Sequence, residues 1–160
     1  MTLRKRFGSP NKIIIGKDAF ERLKDLAVKA YPNEACGIML GDGDNGPVRE
    51  IWPVKNTEED EPGWLFRTEP LELYRLELRA EKENKTIIGF YHSHPDAPAV
   101  ISSEDEKYLV PGMIWLIVSV YHGVAEKTAG YLKEAADGEL AKIEIETEDN
   151  GKLKYMSRLH

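Results

Sequence analysis

Apolar residues in this chain occur in short continuous runs that turn-forming residues interrupt. Runs rich in valine, isoleucine and aromatic residues between such turns predict β-strands. The strands predicted in this way are 12–15, 35–40, 48–54, 64–67, 86–91, 113–121, 129–133 and 140–147, with a last strand after the turn Asn150–Gly151. The run 113–121 is almost wholly apolar, so we expect it in the centre of a sheet.

Three segments have the periodicity of helices, and predicted strands separate them from one another. The predicted helices are 18–31, 71–83 and 102–110. Asp18 and Glu21 have the spacing of a capping box at the start of the first helix. In the second helix, Leu71, Tyr74 and Leu78 share one face. A proline stands directly after the first helix and another after the third, where proline ends a helical run.

The interleaving of helices and strands predicts a mixed α/β fold. We expect a central, mostly antiparallel β-sheet that is flanked by helices. No internal repeat, low-complexity stretch or linker divides the chain, so we predict a single domain over 1–160. Its core is predicted over about 12–135 and a C-terminal β-hairpin over about 140–157. The turn-rich segment 41–47 and the acidic segment 56–63 are predicted to be loops.

The composition narrows the classes of partner. Hydrophobic residues make up 41% of the chain and charged residues 31%, and 22 basic against 28 acidic side chains give a net charge of −6. A nucleic-acid-binding surface needs a basic stripe. The only basic cluster, 4–6, is short and near a terminus, as solvated tails commonly are. We therefore expect no nucleic-acid partner.

The chain has no apolar run of the roughly 18 residues that a membrane span requires. No apolar core of a signal peptide follows the basic residues near Met1. We therefore expect no membrane insertion and a location in the cytoplasm. Cys36 is the only cysteine, which excludes an intrachain disulfide, a zinc site with several cysteines and a CxxC redox pair.

Two histidines follow the predicted strand 86–91 without a break. His92 and His94 are two residues apart, so in a strand both imidazoles point to the same side and can converge on one atom. We expect them at the edge of the sheet, within reach of solvent. Ser102 is a predicted N-cap, which puts Asp105 in the first turn of a helix, where the helix dipole favours the ionised carboxylate. Two imidazoles and a carboxylate are a donor set that suits zinc.

Each piece has a common structural explanation when it is taken alone. Histidines at strand ends are frequent without metal, and a serine three residues before an aspartate is often only a helix cap. Other zinc folds do not fit: a nucleobase deaminase needs HxE followed by PCxxC, and a zincin needs HExxH. His122 and His160 have no partner at ligand spacing, and we expect no function for either.

The joint spacing is more specific than its parts. His92-Ser93-His94, followed after seven residues by Ser102 and after two more by Asp105, has the HxH-x7-S-x2-D pattern. It resembles the signature of the JAMM metalloproteases, the metal-binding branch of the MPN domains, in their small single-domain prokaryotic form. The resemblance extends to the segment 31–41 and, in order, over roughly 12–121. It implies an MPN fold of the cytidine-deaminase-like type.

The resemblance also implies a role for each site residue. His92, His94 and Asp105 would be the ligands of a zinc ion whose fourth position holds a water. Glu34 would be the general base that accepts the proton of that water and delivers it to the leaving amine. Ser102 would hydrogen-bond the developing oxyanion. Nothing in the residues alone links Glu34 to the histidines, and an isolated glutamate is commonly a solvated charge.

The implied function is a zinc metallopeptidase or isopeptidase. It would hydrolyse an amide bond at the C-terminal tail of a ubiquitin-like or sulfur-carrier protein of the β-grasp type, whose tail ends in Gly-Gly. The alternative is a non-catalytic MPN-type scaffold, although scaffolds of that kind usually lack the metal ligands. The sequence leaves open the physiological substrate, the leaving group and the oligomeric state.

Three further features have two interpretations each. Trp64 and Phe66 alternate in the segment 58–68, where they would line an exposed edge that binds a substrate tail, or simply pack in the core. Cys36 is either a redox-sensitive thiol or a small buried hydrophobe. The apolar pair 100–101 either narrows a substrate channel or seats its own loop.

Overall fold

The computed structural model describes residues 12–42, 47–54, 70–107, 109–149 and 152–155, with backbone only for 70 and 152–155. The helices are α1 (Lys17–Ala30), α2 (Pro70–Lys82) and α3 (Ser103–Glu106). The strands are β1 (Lys12–Gly16), β2 (Cys36–Asp42), β3 (Val48–Val54), β4 (Lys85–Pro95), β5 (Ile114–Tyr121), β6 (Val124–Lys133), β7 (Leu140–Asp149) and β8 (Lys152–Tyr155). No helix within these ranges is long and apolar enough to cross a membrane.

The strands form one sheet in the order β1-β3-β2-β4-β5-β6-β7-β8, and β1 also pairs with β7. That additional pairing closes seven of the strands into a barrel. The pairs β1–β3, β1–β7 and β4–β5 are parallel, and the remaining pairs are antiparallel. The mixed α/β prediction is confirmed. Most strand pairs are antiparallel, but the predicted sheet between helices is a mixed barrel that includes three parallel pairs. Pairing between strands far apart in the chain is set by tertiary burial, which local patterns do not encode.

Helix α1 packs on one face of the sheet. Its buried residues Phe20 and Leu23 belong to the same apolar cluster as Ile13, Ile15 and other barrel residues. The helix begins at Lys17, one residue before the predicted start, and its N-cap is Gly16 with no side-chain hydrogen bond. The predicted capping box is therefore wrong, because the earlier start places Asp18 inside the first turn.

Helix α2 covers the opposite face. Leu73, Leu76 and Ala80 are buried in a second cluster with residues of β2, β3, β4 and β5. Leu71, Tyr74 and Leu78 share one face of the helix, as predicted. That face points away from the sheet, because the three residues are 54%, 56% and 48% exposed. Two apolar stripes run along this helix, and the sheet covers only one of them.

The other boundaries differ from the prediction by a few residues. β2 extends to Asp42, β6 begins at Val124, and β7 runs to Asp149 before pairing with β8. Helix α3 ends at Glu106, well before Pro111. The predicted strand 64–67, the proposed edge 58–68 and the basic cluster 4–6 lie outside the described residues.

Candidate metal centre

Strand β4 carries both histidines into the interior of the sheet. It lies between β2 and β5, and it continues through His92 and His94 to Pro95. The two imidazoles are therefore buried, with His92 3% and His94 9% exposed, and the expectation of histidines exposed at the sheet edge is wrong. The apolar run ends at His92, but the hydrogen-bonded ladder does not. As expected from the strand period, the rings share one side, with their Nε2 atoms 3.1 Å apart.

The first turn of α3 brings Asp105 to the same point. Ser102 is the N-cap: its Oγ accepts a hydrogen bond from the Asp105 N–H at 2.9 Å, and Asp105 Oδ2 accepts one from the Ser102 N–H at 3.2 Å. The predicted cap is confirmed. Asp105 Oδ2 lies 3.2 Å from His94 Nε2 and 3.4 Å from His92 Nε2. The reciprocal cap thus aims the carboxylate at the histidine pair.

The three atoms have the separations of ligands around one small ion. Four ligands at about 2.0–2.1 Å from a tetrahedral zinc stand about 3.3 Å from one another. The three distances here are 3.1, 3.2 and 3.4 Å. Within the described ranges, His92, His94 and Asp105 form a group of side chains that could hold a metal ion. Their chemistry and spacing fit zinc.

Contacts behind the cluster orient its members. His94 Nδ1 lies 2.8 Å from the Pro98 carbonyl oxygen. Since a carbonyl only accepts, Nδ1 carries a proton. The neutral ring then presents the lone pair of Nε2 to the cluster, and the protonated ring presents an Nε2–H from which the Asp105 carboxylate can accept a hydrogen bond. Burial alone would lower the pKa of His94, but the hydrogen bonds to Asp105 and Pro98 raise it above the ordinary value.

The aspartate is held in its ionised form. Burial by itself would raise the pKa of Asp105. The hydrogen bonds with His92 and His94 outweigh that effect and hold the pKa well below its usual range. A carboxylate that stays ionised at every physiological pH is the form that coordinates a cation.

The turn before β2 brings Glu34 to the cluster. Cys36 lies opposite His92 in the β2–β4 pair, and the Ser93 N–H donates to the Ala35 carbonyl at 2.9 Å. Continued by one residue, this antiparallel register puts Glu34 level with His94. Burial raises the pKa of Glu34 above its ordinary value, the charges of His92 and His94 lower it, and that of Asp105 raises it. The carboxyl group is thus within electrostatic range of all three cluster residues.

Sequence reasoning missed several residues around the cluster. Ser93 Oγ accepts a hydrogen bond from the Ala35 N–H at 2.7 Å, and the Tyr131 hydroxyl donates to the Ala99 carbonyl at 2.7 Å. The ring of Trp115 stands edge-on to His92, with 6.0 Å between centroids. Of these, only Ser93 carried a signal in the sequence, because it is a polar residue between the two histidines.

The structure bears on two of the features that had two interpretations, Cys36 and the apolar pair 100–101. Cys36 is 8% exposed, and its Sγ contacts the Val54 carbonyl at 3.6 Å. Burial, followed by the charge of Glu34, raises the pKa of its thiol to about 11. These facts favour the buried-hydrophobe interpretation. In the loop before α3, Ile101 packs against the apolar clusters, whereas Val100 is 56% exposed.

Known proteins with a similar sequence include the following three. A desampylase of Haloferax volcanii is 36% identical over 89 residues, which are 55% of this chain and 63% of the relative. A probable TtuB-protein conjugate cleaving protease of Thermus thermophilus is 25% identical over 95 residues, 59% of this chain and 62% of the relative. A CysO-cysteine peptidase of Mycobacterium tuberculosis is 29% identical over 121 residues, 74% of this chain and 80% of the relative. The chain thus spans just under two thirds of the first two relatives.

The fold also has solved counterparts. The solution structure of a protein from Desulfitobacterium hafniense matches with a TM-score of 0.70 and 29% identity, over 86% of this chain and 94% of that one. The family model described as prokaryotic homologs of the JAB domain matches residues 16–131, which include the whole histidine–aspartate cluster and Glu34. This chain therefore belongs to the prokaryotic JAB-domain family.

Proposed function

We propose that the protein is a zinc-dependent metallopeptidase or isopeptidase. The observation that carries the proposal is the convergence of His92, His94 and Asp105 within 3.4 Å of one another, with Glu34 at the same end of the sheet. Two buried imidazoles and an ionised carboxylate leave one position of a tetrahedral zinc open, which is the arrangement of a catalytic site. When bound, zinc would polarise the scissile carbonyl and make water a nucleophile at neutral pH.

Each site residue would have its own role in the reaction. His92, His94 and Asp105 would hold the metal. Glu34 would accept a proton from the attacking water and return it to the leaving nitrogen, a role that its raised pKa favours because it moves proton affinity toward neutrality. Ser102 is an exposed residue, and its Oγ accepts a hydrogen bond from the Asp105 N–H, so the hydroxyl proton would be available to the developing oxyanion.

We propose further that the substrate is the C-terminal tail of a ubiquitin-like or sulfur-carrier protein of the β-grasp type, ending in Gly-Gly. The support is the family membership together with the names of the relatives, a conjugate cleaving protease and a CysO-cysteine peptidase among them. The leaving group would be an amine, either a lysine side chain or an amino acid. Four expectations stay predictions: the single domain, the cytoplasmic location, the cytidine-deaminase-like type of the fold and the lack of a nucleic-acid partner.

The alternative is a non-catalytic scaffold of the same fold. A scaffold has no need of buried ionisable groups, which are unfavourable in a protein interior unless they are paired or bind a metal. Here three such groups face one point, and a fourth, Glu34, is partly desolvated beside them. That arrangement favours catalysis over a purely structural role.

The experiment combines metal analysis with cleavage. Purified wild-type protein is expected to carry about one zinc per chain, as in other catalytic zinc sites. It should release cargo from fusions of the host's Gly-Gly-tailed β-grasp proteins, with the cut after the last glycine by mass spectrometry. A chelator should abolish the cleavage, and added zinc should restore it.

Two variants separate metal binding from proton transfer. Glu34→Gln should keep zinc and lose at least about 100-fold in kcat, the scale of general-base catalysis. Glu21→Gln, on the exposed side of α1, is the matched control and should cleave like the wild type. Zinc-loaded wild type that cleaves none of the fusions would support the scaffold, and an active Glu34→Gln would remove Glu34 from the mechanism.

A further inference from the structure

The turn that carries Glu34 is tied at both ends to the strand that carries the histidine pair. At its start, the Tyr31 hydroxyl donates to Asp96 Oδ2 at 2.7 Å. At its end, the Ala35 N–H donates to Ser93 Oγ at 2.7 Å. Ser93 stands between the two histidines, and Asp96 follows them by two residues. Both ties therefore run from the Glu34 turn to the histidine strand and its immediate continuation.

The bond to Ser93 departs from a regular antiparallel ladder. Residues that face each other in a hydrogen-bonded pair exchange two backbone bonds. Ser93 N–H does donate to the Ala35 carbonyl at 2.9 Å, but the return bond from Ala35 N–H goes to the serine hydroxyl. A side chain has taken the place of a backbone acceptor. Ser93 is 1% exposed, so no bulk water replaces its oxygen if the hydroxyl is removed.

The bond to Asp96 joins three segments. Asp96 has φ 51°, in the left-handed region that aspartate and asparagine tolerate better than most residues. Its carboxylate accepts the Tyr31 hydroxyl through Oδ2 and the His122 N–H through Oδ1, the latter at 2.9 Å. The end of α1, the end of β4 and the turn after β5 are thus held together by one side chain.

Glu34 depends on these ties because it lies in neither a helix nor a strand. The influences on its carboxyl group are burial and the charges of His92, His94 and Asp105, with no hydrogen bond from a described residue among them. A catalytic group of this kind must be held to within about 0.5 Å by its supporting residues. The hydrogen bonds of Tyr31 and Ala35 instead hold the chain on either side of Glu34.

We propose that Ser93 and Asp96 are positioning residues for Glu34, through the hydrogen bonds Ser93–Ala35 and Asp96–Tyr31. The inference rests on the proposed function, since it gives Glu34 the role of proton acceptor. Neither residue touches the reacting atoms. Their hydroxyl and carboxylate set where the turn 31–35 stands relative to the histidine pair.

Amide hydrogen exchange measures the first tie directly, with no need for substrate. In Ser93→Ala, the Ala35 N–H should exchange about tenfold faster than in the wild type, the scale expected for one lost hydrogen bond. Ser93→Thr keeps a hydroxyl and should restore slow exchange at Ala35. NMR of isotope-labelled protein resolves this amide, and β5 amides serve as internal reference for global stability.

Kinetics then link the tie to catalysis. Ser93→Ala should lose about tenfold in kcat, with KM within about twofold and zinc content unchanged, because a misplaced base affects the chemical step and not substrate binding. Ser93→Thr should recover most of the loss. A general loss of packing would instead lower zinc content or change exchange across the sheet.

The second tie is tested at the surface, where folding is not at risk. Tyr31→Phe removes only the hydroxyl that reaches Asp96, and we expect a few-fold lower kcat, in line with one exposed hydrogen bond. Tyr74→Phe, on the exposed face of α2, is the matched control and should match the wild type. The double variant Tyr31→Phe/Ser93→Ala should lose more kcat than the product of the two separate fold-losses, since both hydrogen bonds support the same turn.

The outcomes separate this inference from the proposed function. If the wild type binds zinc but cleaves nothing, the proposed function fails and the positioning role falls with it. If the wild type cleaves and Ser93→Ala has the same kcat, only the positioning role is overturned. Unchanged exchange of the Ala35 amide in Ser93→Ala overturns it as well.

Discussion

Cys36 of β2 lies directly opposite His92 of β4. Because Glu34 precedes Cys36 by two residues, this pairing places Glu34 beside His92 and His94, which lie far along the chain. Cys36 is itself buried, and its Sγ contacts the Val54 carbonyl. The position of Glu34 is therefore a consequence of strand register, and a shift of one residue would turn both histidines to the other face of the sheet.

The close approach of β4 and β5 at Gly89 should be essential for stability. Gly89 pairs with Ile114, and a Cβ at Gly89 would run into the Ile114 carbonyl, with its carbon only 2.9 Å away. We expect Gly89→Ala to lower the free energy of unfolding by about 3 kcal/mol, as overpacking against a backbone does. Urea denaturation measures the change.

Gly112→Ala is the control for this prediction. Gly112 has φ 82° but nothing within 4 Å of its would-be Cβ, so the substitution should lower the free energy of unfolding by only about 1 kcal/mol, from backbone strain alone. Equal urea midpoints for Gly89→Ala and Gly112→Ala would mean that contact with Ile114 is not what makes glycine necessary at position 89.

The two apolar stripes of α2 should respond differently to the same substitution. Leu76 is 7% exposed and Leu78 48% exposed, and both stand in the middle of the helix. Leu76→Ala should lower the free energy of unfolding by about 3 kcal/mol through a cavity. Leu78→Ala should change it by less than about 0.5 kcal/mol, as surface substitutions do. Since helix propensity changes equally in both, a similar loss for Leu78→Ala would show that its face is covered.

The thiol of Cys36 should be inert in the folded protein. Burial, with a smaller contribution from the charge of Glu34, raises its pKa to about 11. At pH 8, well below this pKa, only about one molecule in a thousand would carry the reactive thiolate. Iodoacetamide should label Cys36 slowly in native protein and rapidly in urea, as followed by mass spectrometry. Rapid labelling without denaturant would return the redox interpretation to consideration.

Zinc should stabilise the fold through the carboxylate of Asp105. At a free zinc concentration of about 100 times Kd, the expected gain is about 2.7 kcal/mol, or a rise in Tm of about 5–10 °C for a chain of this size. Asp105→Asn keeps an oxygen that accepts the Ser102 N–H, so it preserves the helix cap while weakening the ligand. We expect its Tm without zinc to fall below the wild-type value, because Asn lacks the charge that His92 and His94 stabilise, and its rise with zinc to disappear. An equal rise in both proteins would exclude Asp105 as a ligand.

Features that depend on local geometry were predicted well. The strand period of two put His92 and His94 on one side, and the cap at Ser102 placed Asp105 in the first turn of a helix. The capping box at Asp18 and the long third helix were wrong, because a helix terminus depends on which backbone groups the neighbouring elements leave unpaired.

The buried state of the histidines was not predicted, since a run of apolar residues ends at His92 while the backbone pairing with β2 and β5 continues. Helix α2 illustrates the same limit. Its sequence contains two apolar stripes of similar strength, and only the sheet beneath it decides that Leu76 is buried and Leu78 is not.

The sequence by itself determined that His92 and His94 share one side of a strand and that Asp105 lies in the first turn of a helix. HxH and S-x2-D are short patterns whose geometry follows from the strand and the helix turn alone. Only the tertiary structure decided that the two patterns meet, that Glu34 stands beside them and that the sheet closes through β1 and β7. Those relationships join residues far apart in the chain. They follow from which apolar faces the whole molecule buries, a choice that no local pattern contains.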